Sequence, residues 1–407
     1  MAVKPFFLNV SEEKHRWIMQ RVQTAHIIPD ISHPQGKEWD HGTPSDVVKD
    51  LVEYWKKSYD WRNVEKRLNS TFKMFTVDLE EDDQTISLHF VHHRSVRPDA
   101  IPLIFVHGWP GSFLEVEGIL KLLTEPEDPE QQAFHVIAPS IPGFAFSSPP
   151  TAPGFSVARI ASVFKKLMDV LGYHHFVAQG GDWGASIIRS LALQFPESCV
   201  GIHTNFIFQG FPPSPLQHPF VSLWLILGWL TPSEKRRMAR MQQWFQSEMG
   251  YALIQGTKPQ TVSYGLLDSP VGMLAWLYDK LHALVAPGFN WDKEVAITWT
   301  MMYILSGNAG HARLYKECMQ TVQHEVMDKK ITKDVAVGIS AFEFDTVYIP
   351  KWWADAVVAE NIVIWREHDN GGHFPALECS DILADDIREF VRQIQGKGRV
   401  DLIGADN

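Results

Sequence analysis

The chain has 407 residues, 45% hydrophobic and 21% charged, enough for a large core in one elaborated domain or two. Its formal net charge of −11 argues against nucleic acid or an anionic membrane surface as a partner. Three cysteines, Cys199, Cys318 and Cys379, have neither metal-ligand spacing nor the even count of a disulfide framework, which fits a reducing compartment.

The first ten residues hold no sustained apolar run of the signal-peptide kind. The longest strongly apolar stretch, 220–230, is interrupted by Ser222 and Gly228 and is too short to span a bilayer. The expectation is a soluble, cytoplasmic protein. In the first 95 residues, Ser11 starts a helix with Glu12 and Glu13 in its first turn. A second helix starts near Thr43-Pro44-Ser45 and places Val47, Val48, Leu51, Val52 and Trp55 at helical spacing. A third ends near Asn69, and strand-like runs follow at 72–79 and 85–92. In the second run Ile86, Leu88 and Phe90 alternate with Ser87, His89 and Val91.

Beyond Ile101 strands and helices alternate. Strands are expected at 102–106, 134–138, 175–179 and 200–206, with a helix over 156–171. The alternation resumes with strands at 337–342 and 362–365, a helix around 351–358 and a final helix over 381–395. This pattern predicts an α/β fold with a mostly parallel sheet and helices on both faces. Between the two halves, 211–325 is rich in Trp, Met, Leu and Tyr without a clear strand, and reads as a helical lid. The organisation is therefore an N-terminal extension (1–95), a first core part (96–210), the lid (211–325) and a second core part (326–407), with a loose tail after Gly396.

The stretch Gly180-Gly181-Asp182-Trp183-Gly184 lies between a strand and a helix. That is the layout of a nucleophile elbow, where small flanking residues permit a tight turn. Asp182 occupies the seat usually held by Ser. A carboxylate there suits attack on saturated carbon and formation of an alkyl-enzyme ester, as in opening an epoxide or displacing a halide.

A base is supplied by His373, in Asn370-Gly371-Gly372-His373-Phe374 just past a strand end. Asp345 follows the strand 337–342 and is the acid to orient it; Glu343 and Glu367 are rivals for that role, and capping is the bland reading of Asp345. The order nucleophile, acid, His is that of the α/β-hydrolase fold. His107-Gly108-Trp109-Pro110-Gly111-Ser112 follows the first parallel strand, where this fold supplies an oxyanion donor. The backbone N–H groups of Trp109 and Trp183 are the two candidate donors.

These motifs together resemble the epoxide hydrolases of the microsomal type, on the α/β-hydrolase fold. The N-terminal match runs from Tyr54-Trp55 through Tyr59-Asp60-Trp61-Arg62 to Glu65 and Leu68-Asn69. The oxyanion loop, the Asp182 elbow and Gly371-Gly372-His373-Phe374 with Ala376-Leu377-Glu378 complete it. The resemblance implies two lid tyrosines that hydrogen-bond the epoxide oxygen and protonate it. Tyr251, in Gly250-Tyr251-Ala252, and Tyr315, in Arg313-Leu314-Tyr315-Lys316-Glu317, match those sites; Tyr264, Tyr278 and Tyr303 compete. Three departures are visible. Phe342-Glu343-Phe344-Asp345 lacks the Pro often found before the family's acid, the stretch from acid to His is slightly long, and no counterpart of the microsomal membrane anchor is expected, so the resemblance is to the soluble, fungal-like branch.

The implied substrates are a small apolar epoxide and water, with no metal and no organic cofactor, and the N-terminal segment is a candidate homodimer contact. Lid aromatics Trp224, Trp229, Trp244, Phe245 and Trp276 suggest an apolar tunnel. A haloalkane dehalogenase is the alternative, though halide departure needs no tyrosine acid. A cyclase in which a substrate hydroxyl opens the ring is the other.

Overall fold

One sheet runs through the molecule, and its strands are β1 (Lys4–Phe6), β2 (Met74–Glu81), β3 (Gln84–His93), β4 (Ile101–Val106), β5 (Phe134–Pro139), β6 (Phe176–Gly180), β7 (Cys199–Thr204), β8 (Ala336–Phe342) and β9 (Ile362–His368). The computed structural model describes residues 2–207, 215–216 and 218–396. The tail after Gly396, residues 208–210 of the first core part and lid residues 211–214 and 217 lie outside them. The strand order is β1-β2-β3-β5-β4-β6-β7-β8-β9. The first three strands join antiparallel, and from β5 to β9 every pairing is parallel. Strands β4 to β7 are buried along their whole length, which is why they read as continuous apolar runs rather than alternating ones.

Two helix pairs cover the sheet. Val157–Val170 packs with Asp182–Gln194, and Glu117–Thr124 packs with Ser380–Gln395. The expected α/β fold is therefore present, with elements that the sequence pattern did not signal, among them β1 and the helix Glu117–Thr124. In β3 the alternation holds only at the start. His89 and Val91 are as buried as Leu88 and Phe90, because His89 packs edge-on against Phe6, Phe113 and Phe146 and bonds Ser140 Oγ at 2.9 Å.

The N-terminal motif residues fix the chain start. Asn69 exchanges two 2.8 Å hydrogen bonds with the Leu8 backbone. Glu65 accepts from Val10 N at 2.6 Å and Trp61 Nε1 at 3.2 Å, and pairs with Arg62 at 2.8 Å. This segment also packs on the lid of the same chain. Thr43 Oγ1 donates to Ala275 O at 2.8 Å, Trp39 stacks on His282 with centroids 3.6 Å apart, and Tyr59 Oη lies 3.2 Å from Thr298 Oγ1.

Between β7 and β8 the described lid is helical from Pro219–Leu227 to Gly310–Cys318. Four of its helices carry Pro in the first turn, at 219, 232, 259 and 270, where the missing N–H costs nothing. Thr231 and Glu234 form a reciprocal capping box at the head of Pro232–Ser247. That helix is clamped to the sheet end. Arg237 reaches Glu343 at 3.1 Å and donates to His368 O at 2.9 Å, and Arg236 and Arg240 approach the same carboxylate at 3.5 and 3.6 Å.

Candidate active site

Asp182 sits at φ 50°, in the left-handed region that a residue with a side chain enters only under local constraint. The constraint comes from its neighbours. A Cβ on Gly184 would stand 2.1 Å from Val106 O, and one on Gly180 would stand 2.8 Å from the Gly184 carbonyl carbon. The elbow therefore lies directly on β4, and the turn lifts Asp182 off the sheet at the head of the helix Asp182–Gln194. The positive end of that helix stabilises a carboxylate there.

The two carboxylate oxygens have different surroundings. Asp182 Oδ1 accepts from the Trp109 backbone N–H at 2.7 Å, and the Trp183 N–H also donates to this carboxylate. Asp182 Oδ2 faces His373 Nε2 at 3.6 Å. On the far side of the ring, His373 Nδ1 is 2.8 Å from Asp345 Oδ1. Both His373 and Asp345 are buried. Asp345 Oδ1 also accepts from the Thr346 N–H at 2.7 Å, but the helix Lys351–Val357 has Pro350 as its N-cap with no side-chain bond, so Asp345 does not cap it.

The rivals lie elsewhere. Glu343 is turned to the three lid arginines, and Glu367 accepts from Tyr348 Oη at 2.9 Å and Trp365 Nε1 at 3.0 Å. Among the tyrosines, Tyr251 stacks on Trp109 with centroids 4.5 Å apart, and Tyr315 meets Trp109 and Trp183 edge-on at 5.9 and 5.1 Å. The two phenol rings are 5.8 Å apart. Tyr303 is tied up, donating to Gly111 O at 2.7 Å, and Tyr264 is exposed. Tyr278 packs near Trp39. The lid aromatics are less central than their composition suggested. Trp229, Trp224 and Phe245 are exposed, Trp224 packs against Trp352, and Trp244 is buried beside Lys280.

Burial dominates the electrostatics. It raises the Asp182 carboxyl, against the lowering effects of His373 and the two Trp N–H groups. For His373 burial works downward, but Asp345, Asp182 and Glu115 outweigh it and push the imidazole up to about 9. Burial and the charge of Asp182 raise both Tyr251 and Tyr315 above the ordinary phenol value, so each keeps its proton across the working range.

One organising residue has no role assigned from sequence. Glu378 accepts from three backbone N–H groups: Ala286 at 2.7 Å, Gly372 at 2.9 Å and Phe374 at 3.0 Å. It brackets His373 and ties its loop to the lid, while the His373 N–H donates to Leu284 O at 2.9 Å. Its place five residues after His373 was the available signal, but nothing in the sequence says which N–H groups a carboxylate will collect.

The scaffold and elbow define an α/β-hydrolase with a carboxylate in the nucleophile's seat. Comparison with known proteins narrows this. Residues 3–116 match the family model "Epoxide hydrolase N terminus", and residues 101–240 match "alpha/beta hydrolase fold". A Stigmatella aurantiaca protein with a provisional epoxide hydrolase name is 38% identical, over 89% of this chain and 79% of its own. Epoxide hydrolase 1 of Sus scrofa is 30% identical over 96% of this chain and 88% of its own. The Aspergillus niger epoxide hydrolase structure is similar with a TM-score of 0.84 and 31% identity, covering 97% of each chain. The chain belongs to the epoxide hydrolase family. No helix among the described residues is long and apolar enough to cross a membrane.

Replacing Glu378 by Ala strands three N–H groups and frees the His loop. Glu378→Ala should slow turnover of a styrene-type epoxide by about 100-fold, the cost of misplacing a reacting group by about 1 Å. Steady-state kinetics would show the loss in kcat with KM nearly unchanged. Wild-type kcat would mean that the loop is held by other contacts.

Proposed function

We propose that the enzyme converts an apolar epoxide and water to a vicinal diol through an ester on Asp182. The observation that carries this reading is the split environment of the Asp182 carboxylate, with Oδ1 on the Trp109 N–H at 2.7 Å and Oδ2 facing His373. Oδ2 is the free oxygen and attacks a ring carbon. The carbon–oxygen bond of the ring breaks, and Tyr251 or Tyr315 gives its proton to the departing oxygen. A buried phenol is a weak acid, yet an alkoxide is more basic still, so transfer is downhill only once the ring opens.

Water then attacks Cγ of the ester and loses a proton to His373 Nε2. The developing oxyanion is Oδ1, which already accepts from the Trp109 N–H, and the Trp183 N–H, which donates to the same carboxylate, is the second donor. Collapse breaks the bond between Cγ and the alkyl oxygen. His373 gives its proton to that oxygen, releasing the diol and leaving Asp182 as a carboxylic acid, whose proton returns to the tyrosinate left by ring opening, so that the carboxylate and both phenols are restored. Asp345 holds the imidazole with Nε2 toward the ester and stabilises its cation.

The spans 1–95, 96–210, 211–325 and 326–407 divide this work: the core parts carry Asp182, His373 and Asp345, and the lid carries the acids. A cytoplasmic setting accords with the sparse cysteines.

A charged His373 cannot act as a base, and in the free enzyme its pKa lies at about 9. Esterification removes the Asp182 charge, one of the causes of that elevation. The imidazole pKa therefore falls when its basic form is needed. In single-turnover stopped flow, ester hydrolysis should rise with pH through an apparent pKa clearly below 9, while NMR titration of His373 in the free enzyme gives about 9. Matching values would remove the coupling. In His373→Gln, alkylation should persist and hydrolysis fail, so the mass of enzyme plus epoxide accumulates on the peptide containing Asp182. An active variant with no adduct would reject the assignment.

A further inference from the structure

Behind Asp182, on the side of the sheet rather than of the lid, lies a small cavity. Its walls include Asp182, His373, Glu115, Gln179 and Asn205, closed by apolar side chains such as Phe105 and Leu383. Neither Tyr251 nor Tyr315 lines it. It gives the centre of a water molecule about 10 Å³, room for a single water. A larger groove of about 340 Å³, around Phe155, Pro259 and Arg313, touches none of these residues.

The walls contain polar atoms without partners. Gln179 Nε2 donates to Asn205 Oδ1 at 2.9 Å, which leaves Gln179 Oε1 and Asn205 Nδ2 buried and unpaired. Both residues are almost fully buried, at 1% and 5% exposure, so two such groups are a standing cost unless a ligand meets them. One acceptor and one donor left over on a bonded amide pair match the hydrogen-bonding capacity of a water molecule. The third polar wall is Glu115. It belongs to the 3₁₀ turn Phe113–Val116, and its carboxyl folds back over the oxyanion loop. A Cβ on Gly111 would fall 1.6 Å from Glu115 Oε1, and the Gly108 N–H donates to this carboxyl. The mechanism above uses none of Glu115, Gln179 or Asn205.

We propose that this cavity is the seat of the hydrolytic water, with Glu115 as a positioning residue and the Gln179–Asn205 pair completing its hydrogen bonds. The inference rests on the covalent reading given above. It separates two routes to Asp182: the epoxide meets Oδ2 under the lid tyrosines, and water meets Cγ from the sheet side, within reach of His373. The ester then need not be vacated on its substrate face before hydrolysis. Burial pushes the Glu115 carboxyl up to about 8, with His373 opposing and Asp182 adding to the shift. At neutral pH it is a protonated carboxyl, able to donate to one group and accept from water without adding a third negative charge beside Asp182 and Asp345.

The test follows both chemical steps on a styrene-type epoxide, by rapid quench and mass spectrometry of the Asp182 peptide. Wild type must form the ester; if it forms none while turning over, the covalent reading fails and takes this one with it. Given the ester, Glu115→Leu should hydrolyse it about 100-fold more slowly, while alkylation stays within about three-fold. Glu115→Gln, a neutral hydrogen-bonding replacement, should recover hydrolysis to within about five-fold of wild type. Asn205→Leu should repeat the selective slowing. Unchanged hydrolysis in both leucine variants overturns the proposal and leaves the covalent reading intact. Equal slowing of both steps also overturns it, because loss of structure would not distinguish them.

Discussion

The structure depends on how closely the elbow approaches β4. Gly184 lies against the Val106 carbonyl with no room for a Cβ, and Gly180 meets Gly184 across the turn. That approach holds Asp182 at φ 50° and sets one of its oxygens on the backbone of the neighbouring loop. Everything else in the site is arranged around a carboxylate that cannot swing away. A serine in this position would project a single oxygen. An aspartate projects two, and the fold gives them different surroundings before any substrate arrives.

A second constraint is charge. Asp182, Asp345 and Glu115 are gathered around one imidazole, His373, in a site where burial penalises every ion. Three carboxylates and one cation would leave an excess of negative charge. Raising Glu115 to about 8 relieves it by keeping that group neutral. On the covalent route proposed for Asp182 the same field would change during turnover, because an ester there carries no charge. Resting and covalent states would then favour different protonation of His373, allowing one residue to stabilise the nucleophile first and to act as a base afterwards.

Much of this was legible in the sequence because the chemistry demands rare local patterns. Gly180-Gly181-Asp182-Trp183-Gly184 is a backbone constraint written in residue types, and the buried parallel strands announce themselves as apolar runs. The third triad member was harder. Asp345 and Glu343 are two residues apart, both acidic and both buried, and sequence could not say which faces His373. The answer lies in the lid helix, whose three arginines claim Glu343. Glu378, Glu115 and the Gln179–Asn205 pair were silent for a related reason. Their importance comes from backbone N–H groups and cavities assembled from distant segments, and no spacing rule encodes those. β1 was missed because its three residues are too few to show a period, and they pair with Met74, Phe75 and Thr76 far along the chain. Among the lid aromatics Trp224, Trp229 and Phe245 are exposed while Trp244 is buried, a division that composition does not encode.

The central claim is that the diol takes an oxygen from Asp182 and water repairs the carboxylate. One turnover with enzyme in excess, in water enriched in the heavy oxygen isotope, reads this directly. An Asp182 peptide heavier by one isotopic substitution and a first-turnover diol free of label are the expected result. Label in the diol with an unlabelled peptide would mean that water opens the ring itself, and would contradict it.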